Sequence, residues 1–576
     1  MATALVTILA LIAGACAGDD DDSSVSEVSE VSGEEGLFSA VEPGGSGDGG
    51  SRSSDAEANL APRPGTGDVS AGDGASDPVA ESALGEADLG GRAAAAPEAE
   101  TAMATSGGLF AQDSTSPEPV PPPLDDHFRN YGVRDFVDTD DDPISTFALD
   151  VDTGAYTVAR QYLDSGQLPP VDSVRVEEYV NVFDYDYDEP RRNALGVSLD
   201  GGPSPFDDDN YLVRIGVQSD RLDDDDRPVA ALTFVIDTSG SMEQGGRLEL
   251  VKEALEELVS ELEDNDTIAI VEFDDYPSVV LEPTRVRDDG VIYDSLDALR
   301  PGGSTNVEGG LALGYDLARE TLDDDQVNRV ILLSDGVANV GLVDPDGLAR
   351  MIRDDADRGI QLLTIGVGMG NFNDELMEQL ADQGDGFYAY VDTDDEAERL
   401  FEDNLTATLV TLAIDAKIQV EFDEDVVEEY RLIGFENRGV LDSDFRNDDV
   451  DAGEIGAGHQ VTAIYEVELR RGFEPGDRED IGEVHLRWEE PGTGEIIEID
   501  EEIELDDVEE SWRETSDSFK LAVVAATFAE VLRASPFASD IDLDDLEEEV
   551  ENLADRTRNR AVDGLLEMVE TAERLV

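Results

Sequence analysis

Cysteine, histidine and lysine are nearly absent from this chain of 576 residues. Cys16 is the single cysteine, so the chain cannot form an internal disulfide bond. With only 3 histidines, the sequence offers no cluster of thiolate and imidazole ligands for zinc. Any metal ion that this protein binds must therefore be held by oxygen ligands.

Positive charge is scarce as well, since 139 acidic residues face 38 basic ones and the formal net charge is -101. Binding to nucleic acid depends on basic side chains that displace counterions from phosphates, so we expect no nucleic-acid partner. Two explanations of the acidity stay open. A high-salt habitat would screen the exposed charges beyond a Debye length of ~10 Å at 0.1 M. Compositional bias from a GC-rich genome would also favour arginine over lysine.

The chain has no apolar run long enough to span a membrane. The nearest approach is an uncharged stretch at 3–15, close to the amino terminus. It is shorter than the about 20 residues of a membrane span but suits the core of a signal peptide. Ala13, Gly14 and Ala15 directly precede Cys16, an arrangement that resembles the lipobox of bacterial lipoproteins. The resemblance implies a signal peptide at 1–16 and an exported protein at the cell envelope or surface, anchored to the membrane only by lipid on Cys16. A plain signal peptide or a buried cysteine is the alternative.

Residues 17–128 consist mainly of Gly, Ser, Ala, Asp, Glu and Pro, without a helical or strand period. Such a segment cannot bury enough apolar surface to offset chain entropy. We predict a disordered acidic linker that tethers the folded part, with a spacer of no further role as the alternative.

Apolar runs alternate with amphipathic helical patterns between residues 228 and 406. This alternation predicts an α/β domain with a doubly wound, mostly parallel, Rossmann-like sheet. The strand-like runs are 229–236, 267–273, 330–333 and 360–367, and the helical patterns cover 248–262, 311–321 and 348–357.

Polar residues gather where ligands bind in such sheets, beyond the carboxyl ends of the strands. They are Asp237, Ser239 and Ser241 after the first strand, Thr305 in a Gly-rich loop, and Asp335 after a later strand. The pieces D-x-S-x-S, G-G-S-T-N and L-L-S-D-G, in this order, resemble the von Willebrand factor type A domain and its metal-ion-dependent adhesion site. A cluster of turns and helix caps is the alternative.

The resemblance implies that Ser239, Ser241 and Thr305 supply hydroxyls, while Asp237 and Asp335 bind directly or through water. Hard oxygen donors suit Mg²⁺, with Mn²⁺ or Ca²⁺ as alternatives. A coordination position left to water would accept an acidic side chain from a protein partner. Asp274 and Asp275 either tune this site or form a solvated turn.

The flanks resemble the domains on either side of the type A domain in a family of bacterial surface lipoproteins. We predict an N-terminal α+β domain at 129–227 and a C-terminal β-rich and helical domain at 407–576. The apolar stripe of the helix at 519–532 is expected to pack within its own domain, with a partner helix as the alternative.

Two enzyme-like motifs lie in the first flank. Asp152-Thr-Gly154 resembles the aspartic-protease triplet, but that mechanism needs two carboxylates and the sequence has no second copy. Asp150-Val-Asp152 resembles the nucleophile pair of a phosphatase, but Gly154 stands where the fifth residue of that motif should be Thr or Val. We interpret both as an acidic turn and helix cap. The predicted function is a surface-anchored, non-enzymatic binding protein. The alternatives are an envelope scaffold with a structural metal and, remotely, a hydrolase, since no paired nucleophile and base is visible.

Overall fold

The computed structural model describes residues 128–206, 210–222, 227–323, 325–336, 345–368, 373–448 and 450–576. These residues belong to one compact unit, Asp113–Val576. The predicted signal peptide, Cys16, the linker up to residue 127 and the acidic runs at 207–209 and 223–226 lie outside the described residues. None of the helices in the described part is both long and apolar enough to cross a membrane.

The described residues of this unit form sixteen strands and twelve α-helices, with short 3-10 and π turns between them. The strands are β1 (Val137–Asp138), β2 (Ile144–Ala148), β3 (Leu195–Pro203), β4 (Tyr211–Ser219), β5 (Ala230–Asp237), β6 (Thr267–Phe273), β7 (Ser278–Arg285), β8 (Val327–Ser334), β9 (Gln361–Val367), β10 (Tyr388–Val391), β11 (Thr411–Phe422), β12 (Val427–Ile433), β13 (Gly453–Gly456), β14 (Gln460–Leu469), β15 (Asp480–Glu490) and β16 (Glu495–Glu504). The helices are α1 (Gly154–Asp164), α2 (Val176–Val180), α3 (Arg247–Glu261), α4 (Asp289–Ala298), α5 (Val307–Thr321), α6 (Pro345–Ala356), α7 (Asp374–Asp382), α8 (Asp394–Glu398), α9 (Leu405–Leu409), α10 (Asp517–Leu532), α11 (Leu543–Thr557) and α12 (Arg560–Leu575).

The central sheet has the strand order β10-β9-β8-β5-β6-β7. All neighbouring pairs are parallel except β6 and β7, where β7 forms an antiparallel edge. Along β5, Phe234 packs in one core with α3 and α4, while Val235 packs in another with α5 and α6. Because helices cover both faces of the sheet, β5 is buried along its whole length and reads as a continuous apolar run. The predicted mostly parallel sheet is therefore present.

Parallel strands give the central sheet two distinct edges. β5 ends at Asp237 and β8 ends at Ser334, so the residues that follow both strands meet at the carboxyl edge. The loop at 383–387, which precedes β10, lies at the opposite, amino edge. The two edges position two separate groups of acidic side chains.

The two flanks share their sheets rather than forming sheets of their own. One sheet has the order β1-β12-β14-β4-β3, so β4 from the first flank lies between β3 and the second flank's β14. In the other sheet, β2 pairs with β11, which also contacts β13 and β15. Apolar residues of both sheets, such as Ile215 and Ile418, form one core. The predicted domains and their boundaries stay predictions. The sequence did not indicate that the two flanks share sheets, because strand alternation identifies a strand's buried face and not its partner.

Helices of both flanks cover this shared region. α10 is buried along most of its length, and Phe519 and Val523 pack in one core with residues of α1, α2, α11 and α12. The apolar stripe of α10 is therefore covered by the chain itself, but by helices of both flanks and not by its own predicted domain alone.

Candidate metal centre

Asp237 is fixed at the carboxyl end of β5 by hydrogen bonds to both of its carboxylate oxygens. Oδ1 accepts a hydrogen bond from the backbone N–H of Ser239 at 2.8 Å, and Oδ2 accepts one from the Ser334 hydroxyl at 2.7 Å. The side chain is fully buried. Burial, and next the charge of Asp335, raise the pKa of Asp237 to about 7. Two buried carboxylates close to each other repel when both are ionised, so a cation or a proton beside them is stabilising.

The two serines of the D-x-S-x-S loop bring their hydroxyls together. Ser239 Oγ lies 2.9 Å from Ser241 Oγ. Ser239 is buried and precedes a 3-10 turn that begins at Gly240, but its side chain makes no capping hydrogen bond. The turn-and-cap alternative therefore does not account for the position of the Ser239 hydroxyl.

The loop that contains Thr305 is hydrogen-bonded to the Asp237 loop. The backbone N–H of Gly240 donates to the carbonyl of Gly303 at 3.2 Å, and that of Gly302 donates to the carbonyl of Thr238 at 2.7 Å. Thr305 is fully buried, and its Oγ1 has no hydrogen-bond partner among the described residues. A buried hydroxyl without a partner is unfavourable by about 1–3 kcal/mol, so this oxygen suits a ligand that the protein itself does not supply.

Asp335 follows β8 directly and is also buried. Its Oδ2 accepts a hydrogen bond from Arg247 Nη1 at 2.6 Å, an ion pair from the first residue of α3. The side chain of Arg247 lies against Gly368, where an added Cβ would fall 2.1 Å from Nε. Arg247 thus supplies part of the positive charge that the two carboxylates demand.

These five residues, Asp237, Ser239, Ser241, Thr305 and Asp335, are named the metal centre here. The structure brings their three loops to one edge of the sheet through the hydrogen bonds above. Their hydroxyl and carboxylate oxygens are hard donors of the kind that Mg²⁺ prefers. The donor set and the unpartnered Thr305 hydroxyl fit a divalent cation, while metal ligation by these residues stays a prediction.

Sequence reasoning missed two residues that contact the metal centre, Ser334 and Arg247. Ser334 lies in the L-L-S-D-G motif, one residue before Asp335, and its position at a strand end was the available signal. Asp275, for which two roles were left open, holds the Thr305 loop: its Oδ1 accepts hydrogen bonds from the N–H and hydroxyl of Ser304 at 3.1 and 2.6 Å. Hydrogen bonding to Ser304 lowers the pKa of Asp275.

The enzyme-like motif residues Asp150 and Asp152 are buried and paired with Arg438. Arg438 Nε donates to Asp150 Oδ2 at 2.8 Å, and Nη2 donates to Asp152 Oδ2 at 3.1 Å. The turn predicted here is present, since Asp150 Oδ1 accepts from the N–H of Asp152 at 2.9 Å. The predicted helix cap is wrong: α1 has Thr153 at its N-cap, without a side-chain capping bond, and Asp152 Oδ1 instead accepts from the N–H of Tyr388 at 2.8 Å. Both carboxylates therefore bind residues that lie far away in the sequence, Arg438 and Tyr388.

A family model for the von Willebrand factor type A domain matches residues 231–403, which contain the central sheet and the metal centre. Residues 231–403 are thus similar to a von Willebrand factor type A domain. Such domains commonly bind a divalent metal at an adhesion site of this kind and often mediate protein–protein interaction or adhesion. Two more family models match on either side of the type A domain, one described as von Willebrand factor at 123–214 and one as the C-terminal part of the uncharacterized protein YfbK at 407–575.

Two relatives of known sequence are similar to this chain over at least 294 residues each. The uncharacterized protein YfbK of Escherichia coli is 37% identical over 359 residues, covering 60% of this chain and 62% of YfbK. The uncharacterized protein sll0103 of Synechocystis is 26% identical over 294 residues, covering 49% of this chain and 67% of sll0103. This chain thus spans less than two thirds of the length of YfbK, at 62%, and 67% of the length of sll0103. A solved von Willebrand factor type A structure from Catenulispora acidiphila covers 67% of this chain and 91% of its own, at 16% identity and a TM-score of 0.39.

Proposed function

We propose that this chain is a non-enzymatic binding protein whose metal centre holds Mg²⁺ and engages an acidic side chain of a partner protein. The observation that carries the proposal is the buried, unpartnered hydroxyl of Thr305. It belongs to a loop that is hydrogen-bonded to the Asp237 loop, beside two buried carboxylates. An oxygen cluster of this composition has no evident role in packing alone.

The protein contributes only two formal negative charges to the metal centre, and Arg247 already offsets part of the charge on Asp335. A Mg²⁺ ion held by so few charges would stay electron-poor and would keep a coordination position for a carboxylate oxygen of the partner. Ser334 keeps Asp237 oriented, and Asp275 keeps the Thr305 loop in place. The rim of the site would thus be rigid before the partner arrives, which lowers the entropic cost of binding.

The proposal places the chain at the cell envelope or surface. Lipid on Cys16 would anchor it, and residues 17–128 would act as the tether. One acyl chain alone binds a membrane only marginally, so stable anchoring would need more than one chain on this residue.

The metal part of the proposal is tested by the isosteric change Thr305→Val, which removes the hydroxyl and fills the same space. Calorimetry of the full chain with Mg²⁺ should show binding that is at least about tenfold weaker in the variant. The metal-free melting temperature should not fall, because no buried polar atom is left unpartnered. Thr284→Val is the control, since its hydroxyl bonds to the Glu282 carbonyl on the exposed edge strand β7. Equal Mg²⁺ affinity in wild type and Thr305→Val would refute the assignment.

The second candidate is an envelope scaffold in which the metal only stabilises the fold. Capture of binding proteins from envelope extracts, with Mg²⁺ and with EDTA, separates the two candidates when circular dichroism confirms that the chain stays folded in both. Loss of partners in EDTA from a folded chain supports adhesion, and retention of partners supports the scaffold. The remote alternative of a hydrolase gains no support from Asp150 and Asp152, because Arg438 binds both.

A further inference from the structure

Three carboxylates meet at the amino edge of the central sheet, opposite the metal centre. Asp385 lies in the loop between α7 and β10, and Asp451 and Glu454 lie just before and within β13 of the shared flanking sheets. One carboxylate oxygen from each lies within 4.8 Å of the other two. These residues are named the amino-edge trio here. They join the type A domain to the region built by its flanks.

Glu454 is the buried member of the amino-edge trio. Its side chain is 7% exposed, and its Oε1 has no hydrogen-bond partner within the described part of the chain. A buried carboxylate oxygen without any partner costs more than a neutral group would, because the charge loses its hydration. Asp451, by contrast, is exposed, so the group is open to solvent on one side.

No basic side chain forms an ion pair with the amino-edge trio among the described residues, but the charge of Arg329 acts on Glu454, and the charges of Arg353 and Lys417 act on Asp451. Lys417 donates to the carbonyl oxygens of Asn447 and Val450, at 3.1 and 2.5 Å. Arg329 donates from Nε to the Leu409 carbonyl and from Nη2 to the Thr411 hydroxyl. The hydrogen bonds of Lys417 and Arg329 thus go to backbone and hydroxyl oxygens, while Arg329 Nη1 is buried without a hydrogen-bond partner among the described residues.

The electrostatics agree with this geometry. Burial, and next the charges of Asp385 and Asp451, raise the pKa of Glu454 well above its usual value. Burial, and next the charge of Asp451, raise the pKa of Asp385 to about 7. The carboxylate of Asp415 adds a further negative charge nearby, and it is oriented by a hydrogen bond at 2.9 Å from the N–H of Ala452. A group of this kind needs either a proton or a cation.

We propose that the amino-edge trio is a calcium site that fastens the type A domain to the flanking sheets. Calcium binds carboxylate oxygens at about 2.3–2.6 Å, so two of its ligands can lie up to about 4.8 Å apart without moving. Magnesium requires about 2.0–2.1 Å and near-ideal octahedral geometry, which three carboxylates from separate segments of the chain meet less readily. Calcium also accepts irregular shells completed by water, and the exposed side of Asp451 provides that access.

The site is independent of the metal centre, since it uses other residues at the other edge of the sheet. Its ligands come from both sides of a contact, Asp385 from the type A domain and Asp451 and Glu454 from the second flank. Calcium therefore stabilises the contact between them, and its removal leaves three carboxylates facing one another.

Calcium binding is measured by calorimetry and thermal denaturation of the full chain, carrying Asp237→Asn so that the metal centre does not contribute. Buffers contain about 0.5 M KCl, which screens weak binding to the acidic surface. We expect calcium to raise the melting temperature, with a Kd of about 10⁻⁵ to 10⁻³ M. Glu454→Gln should weaken binding at least about tenfold and raise the calcium-free melting temperature, since it removes a repelling charge.

Two further variants sharpen the experiment. Asp385→Asn tests the ligand from the type A domain, and asparagine tolerates the positive φ of 46° at this position. The control is Glu502→Gln, from the trio Asp480, Glu502 and Glu504, which has the same spacing but is fully exposed. This control should leave calcium binding unchanged.

Three outcomes overturn the proposal. Calcium binding in Glu454→Gln equal to that in its parent shows that Glu454 is no ligand. Equal melting shifts with Mg²⁺ and Ca²⁺ at the same concentration show a non-selective acidic patch. A rise in melting temperature on acidification to pH 5.5, with no response to calcium at pH 7.5, shows that the carboxylates share a proton.

Discussion

Arg438 is predicted to be a main electrostatic link between the type A domain and its flanks. Its guanidinium group contacts four carboxylates from two parts of the chain: Asp150 at 2.8 Å, Asp152 at 3.1 Å, Asp382 at 2.9 Å and Glu378 at 3.5 Å. The first two belong to the first flank, and the others belong to α7 of the type A domain. The Arg438 side chain is only 13% exposed.

The change Arg438→Gln would leave the buried carboxylates of Asp150 and Asp152 without their cation, whereas Glu378 would keep the charge of Arg175 nearby. Removing one partner of a buried ion pair costs about 3–5 kcal/mol, because the remaining charge stays buried. The entropy of unfolding is about 2.1 cal/mol/K per residue, so in a unit of about 450 residues each kcal/mol shifts the melting temperature by roughly 1 °C, and we expect a fall of roughly 3–5 °C.

The assay is urea denaturation at pH 8 and at pH 5.5, with Arg446→Gln as the control. Arg446 lies in the same segment, but its side chain is 57% exposed and pairs with Glu498 alone, at 2.6 Å. An exposed pair of this kind contributes at most about 1 kcal/mol. Burial, and next the charge of Asp150, already raise the pKa of Asp152 well above its usual value. Without Arg438 the folded state of the variant binds protons more tightly than the unfolded state, so its stability rises as the pH falls.

The expected result is a large loss of stability at pH 8 that becomes smaller at pH 5.5. A loss no greater than that of Arg446→Gln would refute the reasoning. So would a loss that is the same at both pH values, because packing alone would then explain it.

Further predictions concern pH, glycine packing and salt. Burial and, second, the charge of Glu436 raise the pKa of Glu177 to about 7. The protein should therefore lose stability as the pH rises from about 4.5 to 7. In Glu177→Gln the urea concentration at the unfolding midpoint should depend less on pH over this range. Gly386→Ala should destabilise by about 1–3 kcal/mol, since its Cβ would fall 1.9 Å from the Leu362 carbonyl oxygen, whereas Gly564→Ala, in open space on α12, should stabilise by about 0.5–1 kcal/mol in denaturant melts. If the acidity is an adaptation to high salt, thermal scans should show a melting temperature that rises steadily from low to molar KCl; a melting temperature indifferent to salt contradicts that origin.

The sequence predicted most of the metal centre because its residues follow strands. The apolar run at 267–273 coincides with β6, and the run from 229 lies on β5, so the placement of Asp237 and Asp335 at one edge followed from parallel strands. Thr305 does not follow a strand, and only the resemblance to type A domains connected it to the site. Arg247 was missed because its contact with Asp335 depends on how α3 packs, which periodicity does not report.

Partners far apart in sequence could not be predicted in the same way. The pairing of Val213 with Tyr465 joins β4 to β14 across the whole type A domain. Alternation showed that β14 is a strand, and the short apolar segments before residue 228 gave no sign of which strand would lie beside them. The amino-edge trio was missed for the same reason, since Asp385 meets Glu454 through the folded contact and through no shared motif.

The interior position of β4 also has a consequence for synthesis. Ser219 ends β4 and Gln460 begins β14, so the 240 residues from 220 to 459 are translated between the two neighbouring strands. At about 5–20 residues per second this interval lasts roughly 10–50 s. During that time one edge of the apolar strand β4 has no hydrogen-bonded neighbour, because β14 is not yet made. The intervening domain already has all of its own strands and can fold first. The order in which the ribosome releases the chain thus favours completion of the inserted domain before the region that surrounds it.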